Sequence, residues 1–125
     1  MTHHPILEML RLDRMVAIVT GGRWLSETDV SRPEDCQALV DATVAEFGRV
    51  DVLANNAGVG TAYPATRETP EQFRQVIDVN LNGRSWMAQA CGRVMQPGSS
   101  IVNISSVLGL TTDSRGRRTW PARPG

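Results

Sequence analysis

Lysine is absent from this sequence of 125 residues, and all 13 of its basic lysine-or-arginine positions are arginine. The absence excludes every role that needs a lysine amine. An excess of charge of either sign is absent too, since 13 acidic residues balance the 13 basic ones. Without a bulk electrostatic field, we expect neither nucleic acid nor an anionic membrane as a partner.

Long apolar runs and clustered cysteines are also scarce. The longest apolar run near the start, Met15–Val19, has the length of a strand and is too short to cross a membrane. Charged residues interrupt the apolar residues before it, which argues against a signal peptide and indicates a cytoplasmic protein. Cys36 and Cys91 have no metal-ligand spacing, so we expect two buried, reduced thiols and no metal site.

Short apolar runs alternate with helical patterns along the chain. The runs lie at 15–19, 50–54 and 100–105, and the helical patterns lie at 31–48 and 70–95. This order of strand, helix, strand, helix and strand predicts βαβ units and a parallel sheet of the α/β class. We expect a single domain over residues 1–125, with an N-terminal tail at 1–11 and an irregular tail at 115–125.

Both predicted helices carry capping signals at their ends. Ser31 and Glu34 have the spacing of a capping box, in which each side chain satisfies a backbone N–H of the first turn. Thr69 and Gln72 repeat that spacing before the second helix. Gly48 is suited to end the first helix, because glycine adopts the left-handed conformation that often follows a last turn.

Two strand-end motifs and one helical amide carry a family resemblance. The second apolar run continues into Asn55-Asn56-Ala57-Gly58, and the third continues into Ser105-Ser106. Between them, Asn80 lies on the apolar stripe of the second helix, where an unpaired buried amide costs about 1–3 kcal/mol. With these motifs, the chain resembles the short-chain dehydrogenase/reductases, which move hydride between NAD or NADP and a carbonyl or alcohol.

The resemblance implies a Rossmann-like parallel sheet with helices, and a set of site residues. Ser106 would bond the substrate carbonyl and stabilise developing oxyanion charge, and Asn80 would hold a water that relays protons. The residues implied to contact NAD or NADP are Gly21, Asp29, Val30, Asn55, Ala57 and Gly58. The implied substrate is a small carbonyl or alcohol molecule.

Several of these residues also have a purely structural interpretation. The sequence Thr20-Gly21-Gly22 is a common turn at a strand end, and Asp29 suits the N-terminal end of a helix dipole. Asn80 suits a core amide that bonds a nearby carbonyl, and a serine pair at a strand end can satisfy backbone groups. The sequence leaves both interpretations open.

The sequence departs from the family pattern in ways typical of a truncated member. Gly22 is not followed by the further glycines of a phosphate-binding loop, and the second-strand region and the strands after the fifth are missing. The Tyr-x-x-x-Lys pair that the resemblance implies after Ser106 is absent. We therefore expect an incomplete sheet with one apolar face open, and an inactive chain. The alternative is a non-catalytic fragment that associates with itself or with a full-length relative.

Overall fold

Three short parallel strands form the sheet of this protein, whose computed structural model describes residues 12–21, 28–60, 63–64 and 66–106. The strands are β1 (Ala17–Val19), β2 (Val52–Asn55) and β3 (Ser100–Asn103), with β2 in the centre. The predicted α/β class with a parallel sheet is confirmed. The tails predicted at 1–11 and 115–125 lie outside the described residues, so the division of the chain stays a prediction.

Helical segments connect the strands. They are α1 (Pro33–Phe47), α2 (Pro70–Ile77), a π-helical segment (Asp78–Asn82) and α3 (Gly83–Gly92). The second predicted helix is therefore not one uniform α-helix. The N–H of Gly83 donates to the carbonyl of Asp78, five residues back, which is the hydrogen bond of a π-turn. Such turns interrupt α-helices frequently at functional sites, and this one contains Asn80.

The capping predictions have mixed outcomes. Gly48 ends α1 with a φ of 80°, and its N–H donates to the carbonyl of Val44, as predicted. The capping box of Thr69 and Gln72 is present, with both reciprocal hydrogen bonds formed. The prediction of a capping box at Ser31 and Glu34 is wrong, because Arg32 is the N-cap residue of α1.

Asp29 explains why Ser31 does not cap the first helix. The backbone N–H and the hydroxyl of Ser31 both donate to Oδ1 of Asp29, at 3.0 and 2.6 Å. Because its hydroxyl bonds this carboxylate, Ser31 does not serve as the N-cap. The N-cap position falls one residue later, at Arg32, whose side chain forms no capping hydrogen bond, and α1 begins at Pro33. A short Asx-type turn therefore precedes α1 in place of the predicted box.

The hydrophobic core lies between one face of the sheet and the helices. α1 packs against α3, and α3 packs against β2. Strand alternation directs Ile18 and Leu53 toward these helices. The buried apolar residues are Ile18, Val30, Cys36, Val40, Val50, Leu53, Met87, Ala90 and Cys91. Burial of this cluster is the main favourable contribution to the fold.

The opposite face of the sheet is open to solvent. Val19, Ala54 and Val102 form one row across the three strands in register. Val19 is 62% exposed and Val102 is 47% exposed. The predicted open apolar face is thus confirmed for the residues that the structure describes. Because parallel sheets normally bury both faces, an open one favours association.

Asp51 joins the first two strands at the end of the sheet opposite their carboxyl ends. Its Oδ2 accepts the N–H of Val16 at 2.8 Å, and its own N–H donates to the carbonyl of Val16 at 2.8 Å. The guanidinium of Arg49 binds the same carboxylate, with its Nη2 2.6 Å from Oδ1. Hydrogen bonds from Arg49 and then from Val16 lower the pKa of Asp51 below its ordinary value.

This lowered pKa predicts a loss of stability in acid. A carboxyl whose folded pKa lies below its unfolded value, about 3.9, stabilises the fold above that value. The stabilisation is lost as pH falls through the folded pKa. We expect the free energy of unfolding to drop between about pH 5 and pH 2. Asp51→Asn should flatten this drop, and denaturant titrations at several pH values measure it. Equal pH slopes for the variant and the parent would contradict the assignment.

Candidate functional site

Thr20, directly after β1, connects the end of that strand to the loop after β2 through hydrogen bonds. Its hydroxyl oxygen accepts the backbone N–H groups of Asn56 at 3.0 Å and Ala57 at 2.9 Å. Its carbonyl accepts Nδ2 of Asn56 at 3.2 Å, and its N–H donates to the carbonyl of Ala54 at 3.1 Å. Thr20 is buried. The carboxyl ends of β1 and β2 therefore form one rigid edge, where open α/β sheets bind their ligands.

Gly21 continues this close contact. Its φ of 87° lies in the left-handed region that glycine adopts without strain. A Cβ at this position would lie 3.0 Å from Nδ2 of Asn56 and 3.1 Å from Cα of Ala57. The absence of a side chain at Gly21 thus serves packing against the loop after β2, and the cofactor contact predicted for Gly21 stays a prediction.

Asn55 ties the two neighbouring strand ends to α3. The side chain is fully buried, and its Nδ2 donates to the carbonyl of Arg84 at 3.2 Å and to Oδ1 of Asn103 at 3.0 Å. Its backbone carbonyl accepts the N–H of Ile104 at 3.1 Å. These bonds extend the same edge from β2 to β3.

Asn80 clamps the loop after β2 from the helical side. Its Oδ1 accepts the N–H of Val59 at 2.7 Å, and its Nδ2 donates to the carbonyl of Val59 at 2.7 Å. Gly58 lies against the same amide, since a Cβ there would be 3.5 Å from Oδ1 of Asn80. The side-chain amide is therefore satisfied by backbone groups, as its structural interpretation required. A water-holding role for Asn80 stays a prediction.

Asp29 and Val30 lie at the entry to α1. Hydrogen bonds from the side chain and backbone of Ser31 lower the pKa of Asp29. Val30 is buried in the core, where its carbonyl accepts the thiol of Cys36 at 3.4 Å. Both residues therefore have protein partners, and their predicted contacts with a dinucleotide stay predictions.

Ser106 is the second serine of the motif that follows β3. It is exposed and lies two residues beyond Ile104, whose N–H is held by Asn55. Tyr63 is 53% exposed and precedes α2. The structure thus gathers Gly21, Asn55, Ala57, Gly58 and Asn80 at one edge of the sheet, with Ser106 following β3 nearby.

Sequence reasoning missed Thr20 and Val59 as partners of this edge. The one sequence signal for Thr20 is its position as a polar residue directly after a buried strand. Val59 contacts Asn80 only through its backbone N–H and carbonyl, so its side-chain type carries no signal. A groove of about 380 Å³ was not predicted either. It lies between the entry to α1 on one side and α2 with the π-helical segment on the other. The lining residues are Asp29, Ser31, Glu71, Arg74, Gln75, Asp78 and Val79.

Within the described ranges, no group of three or more His, Cys, Asp or Glu residues is placed to hold a metal ion. No helix among the described residues combines the length and apolar character needed to cross a membrane.

Comparison with known proteins supports the fold and its lineage. A family model described as Enoyl-(Acyl carrier protein) reductase matches residues 9–115. An uncharacterised oxidoreductase of Methylorubrum extorquens is 39% identical over 99 residues, which cover 77% of this chain and 40% of that protein. The 3beta-hydroxysteroid dehydrogenase 1 of Eggerthella lenta is 41% identical over 101 residues, covering 75% of this chain and 37% of that protein.

A solved structure of a short chain dehydrogenase has a similar fold. The short chain dehydrogenase of Burkholderia cenocepacia, in complex with NADP, superposes with a TM-score of 0.67 at 27% identity. The superposition covers 74% of this chain and 38% of that one. The chain thus spans about two-fifths of the length of the curated relatives above. It belongs to the short-chain dehydrogenase/reductase family, whose members use NAD or NADP.

Proposed function

We propose that this chain provides the strand-end edge of an NAD(P)-dependent oxidoreductase for a carbonyl or alcohol substrate, and that the 125-residue polypeptide has no turnover by itself. The edge held by Thr20, Asn55 and Asn80 is the observation that carries the proposal. Each of these three side chains hydrogen-bonds backbone groups of a neighbouring segment, as expected of a scaffold.

Cofactor binding is the first weak point of the isolated chain. The side of Gly21 where a Cβ would lie is occupied by Asn56 and Ala57, and Val30 is buried beneath the surface. Asp29 already accepts two hydrogen bonds from Ser31. Because these positions already have protein partners, we expect the isolated chain to bind a dinucleotide weakly or not at all, and we derive no hydride step. Bound NAD or NADP would supply the hydride in a complete enzyme.

Proton transfer is the second weak point. The serine hydroxyl of Ser106 could donate a hydrogen bond to a carbonyl oxygen, which stabilises negative charge but moves no proton by itself. General acid-base catalysis contributes roughly 10²–10⁴ in rate, and in this family it needs a tyrosine beside a lysine ammonium. The sequence has one tyrosine, Tyr63, and no lysine to place beside it. A chain without that pair lacks the group that exchanges the proton.

The test is a turnover assay on the purified 125-residue chain. NADH or NADPH is followed by absorbance with a panel of small ketones and a 3-ketosteroid, because one relative is a hydroxysteroid dehydrogenase. We expect no oxidation above the buffer rate. Oxidation that scales with protein and is abolished in Ser106→Ala would refute the proposal, because a contaminating enzyme would be insensitive to that substitution.

A second candidate is a non-catalytic fragment that associates with itself or with a full-length relative. The open row of Val19, Ala54 and Val102 favours it, because an apolar sheet face gains stability when it is covered. Light scattering on the assay sample separates the candidates, since a monodisperse monomer with no partner would leave the second without support. The predicted cytoplasmic location stays a prediction.

A further inference from the structure

Arg84 carries a buried nitrogen that has no hydrogen-bond partner in the part of the chain that the structure describes. The atom is Nε of its guanidinium, and among the described residues it is the one buried side-chain nitrogen or oxygen left without a partner. Buried polar groups are almost always hydrogen-bonded, so this exception calls for an explanation. The described ion pairs join Arg32, Arg49 and Arg74 to carboxylates and leave Arg84 without one.

Arg84 lies on the face of α3 that packs into the core. Met87 and Cys91, three and seven positions later, are both fully buried, and these spacings place all three residues on one side of the helix. Arginine is rare on a buried face, because its charge must be removed from water. Arg84 is half-buried, so part of the residue reaches solvent while Nε does not. A ligand can therefore approach the side chain from the solvent.

The backbone of Arg84 belongs to the strand-end edge. Its carbonyl accepts Nδ2 of Asn55 at 3.2 Å, and the same Nδ2 donates to Oδ1 of Asn103 at 3.0 Å. Asn103 is the last residue of β3, and Ser106 follows it by three positions. Helical side chains lean toward the N-terminus of their helix, which for α3 is the end next to this edge. The side chain of Arg84 thus leans toward the edge at which open α/β sheets bind ligands.

We propose that Arg84 binds a carboxylate of the small molecule that occupies the strand-end edge, so that the substrate class is a keto acid or a hydroxy acid. The inference rests on the proposed function, because it takes this edge as the place of the carbonyl or alcohol substrate. A guanidinium presents its N–H donors in a rigid planar fork that matches the two oxygens of a carboxylate. Nε donates to one oxygen, and a terminal nitrogen donates to the other.

The charge of Arg84 favours an acid over a neutral molecule of the same shape. Hydrogen bonds between a guanidinium and a carboxylate are charge-assisted and roughly twice as strong as neutral ones. A site built to hydrogen-bond one group also discriminates against an analogue that lacks it, since the buried donor then stays unpaired. We therefore expect a keto acid to bind at least about tenfold more tightly than its neutral ester.

The experiment is an NMR titration of the folded 125-residue chain with levulinate, a small molecule that carries both a ketone and a carboxylate. The arginine Nε–H resonances of the ¹⁵N-labelled protein are followed at low ionic strength, because salt screens the attraction. We expect a saturable shift of the Arg84 resonance, and an affinity at least about tenfold higher than that for methyl levulinate. The titration needs no cofactor and no turnover, so its failure is distinct from a failure of the turnover assay.

Two arginine variants serve as matched controls. Arg84→Lys retains the charge but lacks Nε–H, so it identifies the resonance and should bind levulinate several-fold more weakly. Arg74→Lys changes an exposed arginine that pairs with Glu71, and its affinity for levulinate should equal that of the parent. If Arg84→Lys does not fold, through-bond assignment of the parent and its comparison of levulinate with the ester still decide. Equal affinities for the two molecules, an unresponsive Arg84 resonance, or an unchanged affinity in a folded Arg84→Lys would overturn the proposal.

Discussion

Replacing Thr20 by valine is expected to lower the free energy of unfolding by about 2–4 kcal/mol, because two backbone N–H groups lose their acceptor. The hydroxyl oxygen of Thr20 is the acceptor for both Asn56 and Ala57. Valine keeps the branched shape and a similar volume, so the packing around β1 changes little. The loss therefore measures the hydroxyl rather than a cavity.

Thr20→Ser is the matched control for this substitution. Serine retains the hydroxyl and removes only a methyl group, so we expect a destabilisation of about 1 kcal/mol. Chemical denaturation of the parent and both variants gives the comparison. Equal stabilities for the valine and serine variants would mean that the hydroxyl does not hold the loop after β2. Hydrogen exchange at Asn56 and Ala57 should accelerate in Thr20→Val alone.

Gly83→Ala is expected to destabilise the fold by about 1–3 kcal/mol, although alanine is the better helix former. A Cβ at Gly83 would lie 2.7 Å from Cγ2 of Val30 and 3.0 Å from its carbonyl oxygen. Both residues are buried, so the clash can be relieved only by separating α3 from the segment that enters α1. Such overpacking displaces the helix contact on which the core depends.

Gly92→Ala is the control on the same helix. Gly92 is the last residue of α3, and a Cβ there would meet nothing within 4 Å. We expect this variant to be as stable as the parent or more stable by up to about 1 kcal/mol. The double variant Gly83→Ala with Val30→Ala should lose less than the sum of its two single losses, because removing Cγ2 relieves the closest contact. Additive losses would show that the two side-chain positions do not interact.

Much of the fold followed from local pattern. The apolar runs, the Thr69 capping box and Gly48 predicted where elements begin and end, since each depends on residues within one turn. The prediction failed at Ser31 because the carboxylate of Asp29, two residues earlier, competes for the same hydroxyl. It also failed inside the second helix, where the π-turn around Asn80 has no distinct apolar period to announce it.

The sequence by itself determined the class of fold, the strand-end motifs and the absence of a lysine for proton chemistry, because composition and short-range periodicity carry that information. Only the tertiary structure decided which groups those motifs contact. Thr20 meets Asn56 and Ala57 more than thirty positions away, and Asn80 meets Val59 across 21 positions. Such pairings arise when strands align and helices pack, so they depend on the geometry of the whole sheet rather than on any local stretch.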